Sequence, residues 1–109
     1  MKYTPTTIKA TLSLAKQIER DLKVRRVELN NGWTADWSDF GQPKYFIFMY
    51  ESKRLEVEAH YTVNSCPLFG YFESKEKAKQ FIVEHRAQLE WYFLEFVPLR
   101  EELDLYLDM

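Results

Sequence analysis

A chain of 109 residues with 8 Phe, 7 Tyr and 3 Trp, but only 3 Gly and 4 Pro, is long enough for one folded core and too short to wrap a deep substrate cavity as well. Fifteen Lys and Arg against seventeen Asp and Glu leave a net charge of −2, which argues against a strongly acidic nucleic-acid mimic and against a broad basic coat. Cys66 is the one cysteine, so an internal disulfide is excluded.

No cationic start leads into an apolar run, and no apolar stretch approaches the roughly 18 residues of a membrane span. A cytoplasmic protein without a membrane partner is expected. The charge is uneven. Residues 1–27 hold seven bases and two acids, whereas residues 95–109 hold five acids and one base. The two ends can attract each other within the fold or across a homodimer. They can also serve as a basic face for nucleic acid and an acidic tail for a basic partner.

Thr6 and Thr7 follow Pro5 and can cap a helix. Ile8, Leu12, Ala15, Ile18 and Leu22 then recur at steps of three and four, which predicts an amphipathic helix over about residues 7–23. Val24-Arg25-Arg26-Val27-Glu28-Leu29 has β-branched, alternating character and reads as a strand ended by Asn30-Asn31-Gly32. Residues 33–43 read as an ordered loop pinned by Trp33, Trp37 and Phe40.

Tyr45-Phe46-Ile47-Phe48-Met49-Tyr50 is nearly all apolar and predicts a strand covered on both faces or bearing rings on its outer face. After a turn at 51–53, Leu55, Val57, Ala59, Tyr61 and Val63 alternate with polar residues, the period of a half-buried strand. A further short strand is expected at 68–72, started by Pro67.

Ser74 is placed to cap a second helix, whose inner face is Ala78, Phe81, Ile82, His85, Leu89 and Tyr92 or Phe93. Pro98 should end or kink it near Phe96. Leu99, Leu103, Tyr106 and Leu107 then line a short acidic helix in the tail, residues 98–109. The order α-β-β-β-β-α plus a C-terminal helix implies one α+β domain over residues 1–109, an antiparallel sheet with helices on one face.

No recognised catalytic constellation accompanies this pattern. The glycines at 32, 41 and 70 cannot form a phosphate-binding loop, and Gly-x-Ser-x-Gly, His-Glu-x-x-His and Cys-x-x-Cys are all absent. Cys66, His60 and His85 lack the short paired spacing of a zinc site, so neither a metal nor a cofactor is expected. Cys66 also lacks the context of a nucleophile. His85 falls on the apolar side of its helix and reads as a hydrogen-bonded core residue.

Two segments remain as candidate partner-binding surfaces. One is the loop carrying Trp33, Asp36, Trp37, Asp39 and Phe40, where aromatic rings beside carboxylates could clamp a ligand or peptide or could simply close the core. The other is the tail, with Glu101, Glu102, Asp104, Tyr106 and Asp108, which could pack on its own domain or on another chain. Lys23, Arg25 and Arg26 are the candidates for nucleic acid, though phosphate binding usually recruits more bases. A sheet bearing Tyr45, Phe46, Phe48 and Tyr50 could also stack bases, but it lacks the basic-glycine-aromatic signature of RNA-binding sheets.

Trp33 and Trp37 ahead of Tyr45-Phe46-Ile47, followed by Tyr71-Phe72-Glu73-Ser74-Lys75-Glu76-Lys77-Ala78 opening a helix, resemble small accessory proteins of phages and prophages of Gram-positive bacteria. The resemblance spans residues 33–82, about half of the chain. It implies a non-enzymatic inhibitor of a host defence system such as a CRISPR nuclease, acting in the host cytoplasm by binding that nuclease or its nucleic-acid complex. It transfers no site residue. The alternatives are a small homo-oligomer that holds a nucleotide-like ligand between subunits and a nucleic-acid-binding accessory protein.

Overall fold

The computed structural model describes the backbone of residues 4–107 and the side chains of residues 4–104. In chain order it contains helix α1 (Pro5–Asn30), strands β1 (Lys44–Met49) and β2 (Leu55–His60), helix α2 (Lys75–Trp91), a π-helical turn (Tyr92–Phe96) and helix α3 (Val97–Leu107). The α+β class stands. The expected four-stranded sheet does not: the sheet is a two-stranded antiparallel hairpin, running from Lys44 opposite His60 to Met49 opposite Leu55.

The strand expected at 24–29 is instead the end of α1. Thr4 caps this helix by accepting from the Thr7 N–H at 3.1 Å, and Pro5 occupies its first turn. No glycine or proline interrupts residues 6–30. Ala15, Ile18 and Leu22 are buried, and Leu29 extends the same stripe onto the core. Val24 and Val27, whose branching suggests a strand, sit on the outer side at 58% and 54% exposure. The continuing 3.6-residue stripe outweighs their weak β preference. Asn31 stops the helix in the left-handed region (φ 47°) and donates its N–H to the carbonyls of Val27 and Glu28.

The third expected strand, through residue 63, ends at His60, and Tyr61 and Val63 are exposed. The fourth, at 68–72, is reduced to one rung. Tyr45 and Phe72 exchange both backbone hydrogen bonds, at 3.1 and 2.7 Å. Cys66 (φ 49°) and Gly70 (φ 75°) bend the chain on either side of Leu68 and Phe69, so no longer ladder can form. Asn30, 3% exposed, fixes this segment to the end of α1. Its side chain donates to the Tyr71 carbonyl at 2.9 Å and accepts from the Glu73 N–H at 3.1 Å.

Ser74 caps α2 by accepting from the Lys77 N–H at 3.1 Å, and Ala78, Phe81, Ile82 and Leu89 are buried as their spacing predicts. The helix breaks locally at His85 (φ −126°, ψ 25°). It does not end before Pro98. The N–H of Val97 reaches the Tyr92 carbonyl five residues back, and this widened turn leads the helical run past the proline, which has no N–H and crowds the preceding turn.

The core lies between α1, α2 and the inner face of the hairpin. Phe72 stacks edge-on against Phe81 at 5.0 Å, and Phe69 against Tyr92 at 4.9 Å. The π turn contributes Tyr92 and Phe96, with the Tyr92 hydroxyl donating to Glu19 of α1. Burial, and then the bond to Glu19, push the Tyr92 hydroxyl well above its ordinary pKa.

Candidate partner-binding surface

The pleat of β1 sends Ile47 into the core, with Tyr45 packed beside it. Lys44, Phe46 and Phe48 therefore point to the opposite face, together with His60, Glu58 and Glu56, their partners on β2. The helices pack behind the sheet, so this outer face is left as an aromatic ribbon. The Phe46 ring lies 4.2 Å from the His60 ring, 5.7 Å from Phe48 and 6.0 Å from Tyr71, and Phe48 meets Tyr50 at 4.5 Å. Phe46 and Phe48 are half-buried and Tyr50 is 45% exposed.

The polar groups along the ribbon are ordered by its rings. The Tyr50 hydroxyl donates to Glu58 at 3.0 Å, which raises the pKa of that tyrosine. His60 Nδ1 lies 3.1 Å from the Tyr71 hydroxyl, which also accepts from the Ser65 N–H. Arg54 pairs with Glu56 at 3.5 Å. Of the four rings considered for base stacking, Tyr45 faces the core, and the other three stand beside carboxylates that repel a phosphate backbone.

Lys44 is fully buried at the start of the ribbon. Its ammonium donates to the carbonyls of Asp39, Gln42 and Tyr61 at 2.9, 3.0 and 2.9 Å. Three donors meet three acceptors, which satisfies an ammonium that has no carboxylate within ion-pair distance among the described residues. The Trp37 ring covers it, with the nitrogen 4.8 Å from the centroid, and packs edge-on against Tyr71 at 5.1 Å. The loop expected to be pinned by its rings is thus pinned by a lysine under a ring.

The other loop candidates divide clearly. Asp36 accepts from the Ser38 hydroxyl and N–H, which hold its carboxyl below the usual range, and Asp39 accepts from the Gly41 N–H at 2.9 Å. Both carboxylates shape their own turns. Trp33 is half-buried beside a cleft of about 240 Å³ shared with Arg26 and Tyr71. Phe40, 68% exposed, is the loop ring that neither the core nor Lys44 engages among the described residues.

The tail candidates lie apart from the loop. Helix α3 is anchored by Leu99, which is fully buried, and Glu101 and Asp104 are exposed while Glu102 is half-buried. The side chain of Tyr106 and all of Asp108 lie outside the described residues.

The basic candidates are also split. Arg25 is committed to Glu84 of α2 through two bonds of 2.7 and 2.8 Å. This pair, with help from Gln80, holds the Glu84 carboxyl down to about 2. Lys23 and Arg26 share a cleft of about 320 Å³ with the carboxylate Glu19. The Arg26 side chain lies against Gly70, where a Cβ would stand 2.7 Å from its Nε, and burial lowers its pKa.

His85 Nδ1 lies 2.9 Å from Gln88 Oε1, while its Nε2 is buried with no hydrogen-bond partner among the described residues. Cys66 is an exposed free thiol. Among the described residues no three His, Cys, Asp or Glu side chains gather as metal ligands, and no helix is long and apolar enough to cross a membrane.

Lys44 and Asn30 are the features that reading the sequence misses, whereas rings on the outer face of the 45–50 strand are one of its two alternatives. Alternation places Lys44 on the same face as Phe46 and Phe48, and that is the signal by which it could have been found. Comparison of the chain with protein-family models, with curated proteins and with solved structures found no match.

Proposed function

We propose that this is a non-enzymatic protein-binding domain, which docks a partner protein on the outer face of the hairpin. The observation that carries the reading is the aromatic ribbon of Phe46, Phe48, Tyr50 and His60, left uncovered by the helices and backed by buried Tyr71, with Phe40 exposed on the 33–43 loop. Clustered rings on a rigid sheet give large contact area at little entropic cost. Glu56 and Glu58 along the ribbon favour a partner that brings lysine or arginine among its apolar contacts. The resemblance of residues 33–82 to phage and prophage accessory proteins supports a host protein as that partner, such as a defence nuclease or its nucleic-acid complex.

The test is a paired capture from lysate of the host cell, using the wild-type chain, a Phe40→Ser/Phe48→Ser variant and a Val24→Ser control. Val24 is an exposed apolar residue of α1. A partner held by the wild type and the control but lost by the double variant supports the proposal. Equal capture by all three chains refutes it.

A further inference from the structure

The free edge of β2 provides a second contact, and we propose that it binds a partner strand with alternating apolar and basic side chains. Tyr45 spends its N–H and C=O on Phe72, so the bonded pairs of the hairpin are 44 with 60, 46 with 58 and 48 with 56. The N–H and C=O groups of Leu55, Val57 and Ala59 therefore point away from β1. No other strand or bridge among the described residues pairs with that edge. An unpaired edge of this kind is a template for β-addition.

The surroundings of the edge select the occupant. Beside this edge, a cleft of about 270 Å³ opens between β2 and α2, lined by Leu55, Val57, Ile82 and Val83 together with the charged Glu56, Lys79 and Arg86. Val83 is 74% exposed although it faces this cleft. An added strand would place every second side chain here, and apolar ones fit. On the outer side its alternate side chains would stand beside Glu56 and Glu58, and there lysine or arginine makes favourable cross-strand pairs.

The same carboxylates disfavour a second copy of this chain. Antiparallel pairing of β2 with itself about a two-fold axis keeps each face on one side, and the two registers of greatest overlap centre on Val57 or on Glu58. The first register sets Glu56 opposite Glu58 and the second sets Glu58 opposite itself, at about 5 Å in either case.

The inference rests on the reading of the chain as a protein-binding domain, but it concerns the edge and not the aromatic face. The experiment uses the isotopically labelled full chain and two short synthetic peptides, one alternating valine with lysine and the other valine with glutamate. The lysine peptide should slow hydrogen exchange at the Leu55, Val57 and Ala59 amides by about tenfold or more, and the glutamate peptide should leave them unchanged.

Val57→Pro should abolish the effect while the hairpin persists, because the Val57 N–H takes no part in the ladder with β1. Val83→Glu, a change at an exposed helix position, should weaken it at least severalfold. No protection by the lysine peptide, equal protection by both, or protection in the free chain from self-association would each overturn the proposal. Edge protection that survives in Phe40→Ser/Phe48→Ser, with partner capture also unchanged in that variant, would keep the edge site and discard the aromatic-face reading.

Discussion

Replacing Lys44 with methionine tests how the aromatic ribbon and the 33–43 loop are held together. Methionine keeps most of the apolar stem and removes the ammonium, so three carbonyls, of Asp39, Gln42 and Tyr61, lose their shared donor. Each of these bonds is worth a net ~1 kcal/mol once the desolvation of the ammonium is set against it. Asp39 and Tyr61 are exposed, so water can recover part of the loss at two of the three sites. Loss of the cation beneath Trp37 adds ~0.5–1 kcal/mol.

The sum is about 2–4 kcal/mol, a large share of the ~5–15 kcal/mol that stabilises a domain of this kind. Urea unfolding followed by tryptophan emission reads it directly, since Trp37 lies against the ammonium. Lys44→Arg separates charge from geometry: a planar fork cannot aim at three carbonyls around one nitrogen, so it too should destabilise. A Lys44→Met chain within ~0.5 kcal/mol of wild type would refute the reasoning, because the three contacts would then carry no net stability.

Asn30→Ala orphans the Tyr71 carbonyl and the Glu73 N–H and should cost about 2–3 kcal/mol, read by the same unfolding assay. Gly70→Ala forces a side chain into the left-handed region and against Arg26, and a loss of ~1–2 kcal/mol is expected in thermal or urea melts. Glu84 titrates lower in the folded chain than its ordinary value of 4.5, so its stabilising contribution is present above that value and is lost as pH falls toward about 2. Arg25→Met should return the Glu84 titration, followed by carboxyl NMR, toward 4.5 and shift acid unfolding to higher pH.

The helical parts of the fold were legible because their signal is local and repeated. Ile8 to Leu22 and Ala78 to Leu89 carry several turns of apolar spacing each, and Ser74 announces its own helix. Val24 to Leu29 misled because two β-branched residues on the outside of a helix look like alternation when Leu29 is not yet known to extend the buried stripe. Leu68 to Phe72 misled differently. Its rings do enter the core, but the bends at Cys66 and Gly70 allow a single rung, and backbone sign is not encoded by apolar pattern.

The candidate site was legible only in outline. Aromatic density pointed to the 33–40 loop, yet its carboxylates serve local turns and Trp37 serves Lys44. Whether a face is covered depends on how many strands and helices assemble around it. The helices lie on one side of the hairpin, as they were expected to on the larger sheet, and the half-buried Phe46 and Phe48 stand on the other.

The most direct measurement of the central claim is a hydrogen-exchange footprint of the captured complex on this chain. The account predicts protection gathered on residues 44–50 and 54–60 of the hairpin and around Phe40, with the exposed side of α1 at Val24 and Val27 unchanged. Protection confined to α1 or to the acidic α3, with the hairpin exchanging as in the free chain, would contradict it.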